Sequence, residues 1–120
     1  MPEMGQTYSF SQRNLRRCES PNGFNHKLTS WSASDWMVAA FGELGEAANV
    51  LKKLNRVRDG VPGNKEGERT AEQLREKLKL EIGDAFIYLD LFCQSQGLDL
   101  QACGEAAFRK KSEEIGYSEE

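Results

Sequence analysis

Two long amphipathic segments, residues 32–58 and 70–96, constrain the fold of this chain more than any other feature. In a helical projection at about 100° per residue, the apolar side chains of the first segment fall between about 20° and 160° from Glu43. Those of the second segment fall between about 20° and 140° from Glu81. No segment shows the apolar alternation of a strand. The pattern predicts an all-α chain whose long helices pack through their apolar stripes.

Capping residues set the expected limits of the helices. Ser32 or Ser34 caps the first long helix, and Thr70 with Gln73 forms a capping box for the second. Asp99 caps a shorter last helix. We therefore expect a single domain, residues 1–120, with a short N-terminal helix and loop in 1–30 and main helices at 32–58, 70–96 and 99–115.

The segment 59–68 is rich in glycine and charge, which is typical of a loop between two antiparallel helices. The helix after it carries a second apolar row, Leu80, Ile87 and Leu91, in addition to its main stripe. A helix that is apolar on two sides needs cover on two sides, and a partner subunit is the economical source. The expected architecture is an antiparallel helical bundle completed in a homodimer, or more weakly in a dimer of dimers. Cover of the second row by the N-terminal segment of the same chain is the alternative.

Charge and composition exclude several classes of partner. The chain has 19 acidic and 16 basic residues, so its net charge of −3 gives no overall attraction to nucleic acid or anionic membrane. No apolar segment is long enough to cross a bilayer, and the N-terminus lacks the pattern of a secretion signal. We therefore expect a cytoplasmic protein. The three cysteines form no CxxC pair, so we expect buried thiols rather than a disulfide framework or a zinc site.

Each long helix carries two carboxylates three residues apart, Glu43 with Glu46 and Glu81 with Asp84. Residues i and i+3 share a helix face, so each pair can serve one point in space. Both pairs lie at the same angle relative to their apolar stripes, so packing of the stripes brings four carboxylates together. Four like charges in a half-buried groove repel unless a cation lies among them. Ligation by oxygen alone favours Mg²⁺ first and Mn²⁺ second.

Two other interpretations of these acids compete with a metal site. A single ExxE pair is most often the solvated edge of a helix, because glutamate is a good helix former. Two pairs at matched angles on neighbouring helices are much rarer. A di-iron carboxylate bundle needs Glu-x-x-His on two helices, but the only histidine, His26, lies in an expected loop. The pattern therefore favours a site built from carboxylates alone.

The stretches GELGEAANVLKKL and EIGDAFIYLDL resemble the ExxE and ExxD signature of the all-α nucleoside triphosphate pyrophosphohydrolases, specifically the MazG-like branch. SWSASDW, GLDL and FRKKSEEIGY are also similar to short single-domain MazG-like proteins, including those of phages and mobile elements. The similarity covers residues 20–117. It implies a four-helix bundle that assembles as a dimer or tetramer. It also implies Mg²⁺-dependent hydrolysis of an NTP or dNTP to the monophosphate and pyrophosphate.

The resemblance implies roles for particular residues. By position, the metal-ligand and catalytic roles fall on Glu43, Glu46, Glu81 and Asp84. Two departures limit the transfer. The interval 47–80 between the motifs is long for the family because of the 59–68 loop. Residues 107–109 read Ala-Phe-Arg, where relatives often have Lys-Phe-Asn, so the usual lysine and asparagine roles are not assigned.

The leaving pyrophosphate needs positive charge, and we expect it first at Lys53, which shares a helical face with Glu46. Further candidates for substrate binding are Asn49, Arg56, Lys110, Lys111 and Trp31. Trp36 is expected in the core rather than against a base. Gly42 and Gly45 lower helix propensity, and we expect close approach of a neighbouring helix or of a substrate to be the reason.

The expected function is a Mg²⁺-dependent pyrophosphohydrolase that cleans or adjusts nucleotide pools. A hypothesis from another class is a helical nucleotide-binding or regulatory module that keeps the bundle without turnover. Retention of all four acids favours the enzyme. A nucleic-acid binder built around LKKLNRVR is disfavoured by the acidic balance and by the absence of a recognised DNA-binding motif.

Overall fold

A computed structural model describes residues 7–119 of the chain. This range contains four α-helices and one short 3₁₀ turn, and no strand. The helices are α1 (Phe10–Glu19), α2 (Ala33–Asp59), α3 (Ala71–Ser95) and α4 (Leu100–Ile115), with the 3₁₀ turn at Leu28–Ser30. The expected all-α class is confirmed. None of these helices combines the length and apolarity that a bilayer crossing requires.

Local hydrogen bonds explain where the helices begin and end. Before α3, the hydroxyl of Thr70 accepts from the Gln73 amide and the Gln73 side chain accepts from the Thr70 amide, both at 3.2 Å. The expected capping box is therefore confirmed. Asp99 accepts from the amide of Ala102 at 2.9 Å at the start of α4. Gly116 ends α4 in the left-handed region, with φ 73°.

The chain divides into two compact units. Ser34–Leu89 form one of them, and residues 7–33 with 90–119 are the described part of the other. Helix α3 contributes residues to both. Organisation of the chain as a single domain stays a prediction.

In the first unit, α2 and α3 run antiparallel. Near one end the rings of Trp36 and Tyr88 have their centroids 6.4 Å apart. Near the other end Lys53 of α2 and Lys77 of α3 both approach the carboxylate of Glu68. The buried apolar residues of this unit are Trp36, Ala40, Ala47, Val50, Leu74 and Ala85. Trp36 is only 2% exposed, so its expected place in the core is confirmed.

The apolar stripes of α2 and α3 are only partly covered within this unit. Phe41, Leu44, Ile82 and Phe86 are exposed along a groove of about 380 Å³ between the two helices. Two packed helices bury the parts of their stripes that face each other. Each stripe is wider than the line of contact between the helices, so part of it stays uncovered. The outer sides of both stripes therefore remain open to a further partner.

In the second unit, a buried carboxylate joins α1 to the C-terminal part of α3. Asp90 is 1% exposed and accepts hydrogen bonds from the Ser11 hydroxyl, the Asn14 side-chain amide and the Gln94 side-chain amide. Gln94 also donates to the backbone carbonyl of Ser11 at 2.9 Å. These donors replace the water that the carboxylate has lost. These hydrogen bonds hold α1 against α3 around Asp90.

The second apolar row of α3 does not form one exposed surface. Leu91, next to Asp90, is 3% exposed, whereas Leu80 is 65% exposed and Ile87 is intermediate. The expectation that the whole row awaits a partner subunit is therefore wrong at Leu91, because the chain itself buries this end. The contacts of α1 with Asp90 agree here with the alternative, cover by the N-terminal segment.

Helix α4 has a different character from the other helices. None of its residues is buried within the described part of the chain. Phe108 is half exposed and makes an edge contact with the Tyr117 ring, with centroids 6.3 Å apart. Ile115 is 69% exposed. The apolar side chains of α4 are therefore accessible to a partner.

Candidate metal centre

Three carboxylates of α2 and α3 converge within the unit Ser34–Leu89. Carboxylate oxygens of Glu43, Glu81 and Asp84 all lie within 4.8 Å of one another. Glu81 and Asp84 share a face because they are three residues apart on α3. The antiparallel packing of α2 then brings Glu43 to the same place. Glu43 and Glu81 are half-buried, and Asp84 is exposed.

Burial and mutual repulsion disturb the ionisation of Glu43. Loss of solvent is the largest cause that raises its pKa, followed by the negative charges of Asp84 and Glu81. A hydrogen bond with Glu81 further favours the protonated carboxyl and so also raises this pKa. The group therefore carries an excess of negative charge that a bound cation would relieve.

Glu46, the fourth expected ligand, lies outside this group of three. It is exposed, and its negative charge makes only the smallest of the named contributions to the raised pKa of Glu43. The structure thus brings together three of the four acids of the ExxE and ExxD motifs. A ligand role for Glu46 stays a prediction.

The donor set of the three acids suits Mg²⁺ or Mn²⁺. Each residue offers a carboxylate oxygen, and neither histidine nor cysteine belongs to the group, so the donors are those of a hard cation. Two oxygens bound to one Mg²⁺ at about 2.1 Å are at most about 4.2 Å apart. Because the three oxygens lie within 4.8 Å of one another, small side-chain rotations suffice for them to share one ion.

Lys53, the first expected contact for phosphate, is engaged within the chain. Its ammonium forms an ion pair with Glu68, whose side chain is 2% exposed. Lys65 and Lys77 approach the other oxygen of Glu68 at 3.3 and 3.6 Å. Three ammonium groups thus surround one carboxylate. We call Lys53, Lys65, Lys77 and Glu68 the lysine cluster. Because three ammonium groups face one carboxylate, the cluster has a net positive charge.

The lysine cluster holds Glu68 in its charged form. Hydrogen bonding from Lys53 is the largest cause that lowers the pKa of Glu68 to about 2, against the opposing effect of burial, and Lys65 and Lys77 lower it further. The sequence analysis missed this residue. Glu68 follows Gly67 in a polar loop, where no periodicity distinguishes a buried side chain from a solvated one.

Two other expected substrate contacts lie on α2. Asn49 is exposed on the turn after Glu46. Arg56 is half-buried and donates from Nη1 to the side-chain oxygen of Asn64 at 3.2 Å. Asn64 is therefore a second loop residue that the sequence analysis missed. Contact of Asn49 or Arg56 with a substrate stays a prediction.

The remaining candidates belong to the other unit. Lys110 and Lys111 are exposed on α4, and Lys111 pairs with Glu114 at 2.9 Å. Trp31 makes an edge contact with the His26 ring, with centroids 4.8 Å apart. The substrate-binding roles of these residues stay predictions.

Gly42 and Gly45 lie beside Glu43 on α2. A Cβ atom at either position would meet no atom within 4 Å. Close approach of a neighbouring helix within the described chain therefore does not explain them, and that part of the expectation is wrong. Their open surroundings leave room for a substrate or a second copy of the chain.

Comparisons of this chain with protein-family models, with curated proteins and with solved structures found no match. The likeness to MazG-like proteins therefore rests on the motifs themselves.

Proposed function

We propose that this protein is a Mg²⁺-dependent nucleoside triphosphate pyrophosphohydrolase, which converts an NTP or dNTP to the monophosphate and pyrophosphate. The observation that carries the proposal is the convergence of Glu43, Glu81 and Asp84, with carboxylate oxygens within 4.8 Å of one another. These three acids occupy the positions that the ExxE and ExxD motifs assign to metal ligands. Their donor set suits the cation that the reaction requires.

The acids of the site take different tasks in this proposal. Glu43, Glu81 and Asp84 would hold Mg²⁺, which when bound supplies a sink for the charge of the leaving pyrophosphate and lowers the pKa of the attacking water. Glu46 is exposed and lies outside the group of three. We therefore assign it the role of the general base, which takes a proton from that water.

Positive charge for the phosphate chain is available from the lysine cluster. Lys77 lies one turn before Glu81 on α3, is 47% exposed, and its ammonium is 3.6 Å from Glu68. Lys53 is 22% exposed and directly paired with Glu68, so it would have to exchange this carboxylate for phosphate. We therefore propose Lys77 ahead of Lys53 as the phosphate contact.

A homodimer remains part of the proposal, with a dimer of dimers less favoured. Contiguous exposed apolar surface is a common mark of an interface, and Phe41 and Phe86 contribute such surface to the groove between α2 and α3. Light scattering should give twice the chain mass for the wild type. Phe41→Ser with Phe86→Ser should give the monomer, while Val61→Ser, an exposed apolar residue outside the groove, should not. A monomeric wild type would contradict the homodimer.

The activity test is incubation of the purified protein with Mg²⁺ and a panel of canonical and modified NTPs and dNTPs. Monophosphate and pyrophosphate should appear in equal amounts, because the bond between the α and β phosphates is the one cleaved. Release of orthophosphate alone would contradict this reaction type. No product from any nucleotide, with protein shown to be folded by circular dichroism, would refute the enzyme.

A pair of variants tests the residues. Glu81→Gln removes one of the three convergent carboxylates and should abolish turnover while helicity and assembly stay intact. Glu76→Gln makes the same change on an exposed part of α3, where the side chain forms a 3.9 Å ion pair with Lys79, and should keep activity. If wild type shows Mg²⁺-dependent nucleotide binding without turnover, the regulatory module is the better description.

A further inference from the structure

A second pocket, apart from the apolar groove between α2 and α3, lies at the C-terminal end of α2 and in the loop that follows it. It has a volume of about 460 Å³ and is formed by residues within the range 56–69. Val61 and Pro62 give it an apolar wall, and Arg56 and Arg69 give it two guanidinium groups. None of the described residues that line it is acidic. We call it the arginine pocket.

The arginine pocket is held in shape by Asn64. The Asn64 side-chain oxygen accepts from Arg56 Nη1 and its backbone carbonyl accepts from Arg69 Nε, both at 3.2 Å. Its side-chain amide donates to the backbone carbonyl of Lys53 at 3.0 Å, which fixes the loop on α2. Gly63 has φ 125°, a conformation that other residues rarely adopt, so the turn of the pocket wall depends on glycine. The pocket is thus built by specific contacts.

Within the described part of the chain, neither guanidinium group of the pocket has a carboxylate partner. No carboxylate within residues 7–119 forms an ion pair with Arg56 or Arg69. By contrast, Arg58 two residues after Arg56 is paired with its neighbour Asp59 at 2.7 Å. A guanidinium has five N–H donors, and the contacts with Asn64 use one on each arginine. Each arginine therefore has donors left for an anion.

We infer that the arginine pocket binds a phosphate-bearing anion. Two guanidinium groups with free donors match the oxygens of a phosphoryl group, which arginine often contacts in bidentate geometry. The apolar wall at Val61 and Pro62 suits an organic group attached to the phosphate. Free phosphate, pyrophosphate and a nucleoside monophosphate share this chemistry.

The site is separate from the three carboxylates. Arg56 lies thirteen positions after Glu43 on α2, which is about 20 Å along the helix axis. Anion binding in the pocket therefore needs no divalent cation. The inference stands whether or not the protein is a pyrophosphohydrolase.

Calorimetric titration tests the inference with inorganic phosphate, pyrophosphate and a nucleoside monophosphate as three separate ligands. The buffer contains a chelator, so that no metal bridges an anion to the carboxylates. At least one ligand should bind, and binding should weaken as salt is added because ion pairing contributes to it. Tightest binding of the monophosphate would identify the apolar wall as part of the site. Absence of binding by all three ligands would overturn the inference.

Variants locate the site. Arg69→Gln should weaken binding about tenfold or more, because it removes a charge-assisted hydrogen-bonding group. Arg58→Gln removes the same charge close by but outside the pocket, and should bind like the wild type. Equal weakening in both variants would mean unspecific attraction and would overturn the inference.

Two further variants keep the test independent of folding and of the carboxylates. Arg69→Lys keeps the charge but loses the fork of the guanidinium, so binding weaker than wild type is expected with an unchanged circular dichroism spectrum. Glu81→Gln should leave anion binding unchanged in the chelating buffer. Loss of binding in Glu81→Gln would show that the anion binds elsewhere.

Discussion

Replacement of Glu43 by glutamine should make the metal-free protein more stable than the wild type and the Mg²⁺-saturated protein less stable. Glutamine keeps the shape of the side chain and removes one of three converging negative charges. Without metal the charge repels Glu81 and Asp84, whereas in the proposed Mg²⁺ site it would be a ligand. The sign of the effect therefore reverses with Mg²⁺.

The magnitude follows from the separation of the carboxylates. Two like charges at the 4.8 Å limit of this group repel by about 0.9 kcal/mol at the dielectric of water and by about 3.5 kcal/mol at an effective dielectric of about 20. Asp84 is exposed and Glu43 half-buried, so solvent screening places the net repulsion near the lower value. For its two partners together, we expect Glu43→Gln to stabilise the metal-free protein by about 1–2 kcal/mol.

Thermal unfolding measures both signs. For a chain of this size, about 1 kcal/mol corresponds to roughly 4 °C in Tm, so the metal-free variant should melt about 4–8 °C above the wild type. Mg²⁺ at about a hundred times its Kd should stabilise the wild type by about 2.7 kcal/mol. The variant should gain much less, because one of the three ligands is gone. The two proteins should therefore exchange their order of stability as Mg²⁺ is added.

The pH dependence provides an independent check. The pKa of Glu43 in the folded protein is raised above its ordinary value of 4.5. At a pH between the pKa of the unfolded chain and that of the folded protein, the folded protein therefore binds more protons. Wild-type stability without metal should therefore fall as pH rises through this window, and Glu43→Gln should remove this contribution. Glu76→Gln, which removes an exposed charge on α3, should change neither response. A Glu43→Gln variant that is destabilised without metal, or that keeps the full response to Mg²⁺, would refute the reasoning.

Three further substitutions test the contacts that hold the structure. Glu68→Gln should flatten the acid limb of unfolding: the lowered pKa makes the contribution of Glu68 present above pH 4.5 and lost as pH falls towards about 2, and urea unfolding across that range measures the slope. An unchanged slope would contradict this role. Asp90→Ala should cost about 3 kcal/mol in urea unfolding, because it removes a buried carboxylate that accepts hydrogen bonds from Ser11, Asn14 and Gln94, whereas the exposed Asp35→Ala should cost less. Gly45→Ala should raise the free energy of unfolding by about 0.5–1 kcal/mol, because the added Cβ meets no atom. A loss of stability there would mean that another molecule occupies the space.

The features predicted correctly from the sequence depend on local spacing. Helix periodicity and capping residues act over a few positions, so the limits of α2, α3 and α4 follow closely from them. The convergence of Glu43 with Glu81 and Asp84 follows from one additional condition, that the two apolar stripes face each other. Glu46 lies outside the group although Asp84, at the matching angle on α3, belongs to it, so the angle relative to the stripe does not by itself decide which acids converge.

The features that the sequence analysis missed depend on distant partners. Asp90 is buried because Ser11 and Asn14 reach it from α1, more than seventy positions earlier in the chain. Glu68 is buried because lysines of α2, the loop and α3 meet around it. A charged side chain gives no sign of such partners in its own surroundings in the sequence. Burial of Leu91 and exposure of Leu80 have the same cause, since only tertiary contacts distinguish the two ends of this row on α3.

The loop between α2 and α3 makes specific contacts with both helices. Glu68 returns to pair with Lys53 of α2 and Lys77 of α3, and Asn64 binds the backbone of Lys53. A surface loop without such contacts tolerates shortening at little cost, because closure entropy changes slowly with length. Removal of residues 61–67 would take away Asn64 and move Glu68, so two lysines would lose the carboxylate that neutralises them. The positive charge of the lysine cluster is therefore set by the loop as much as by the helices.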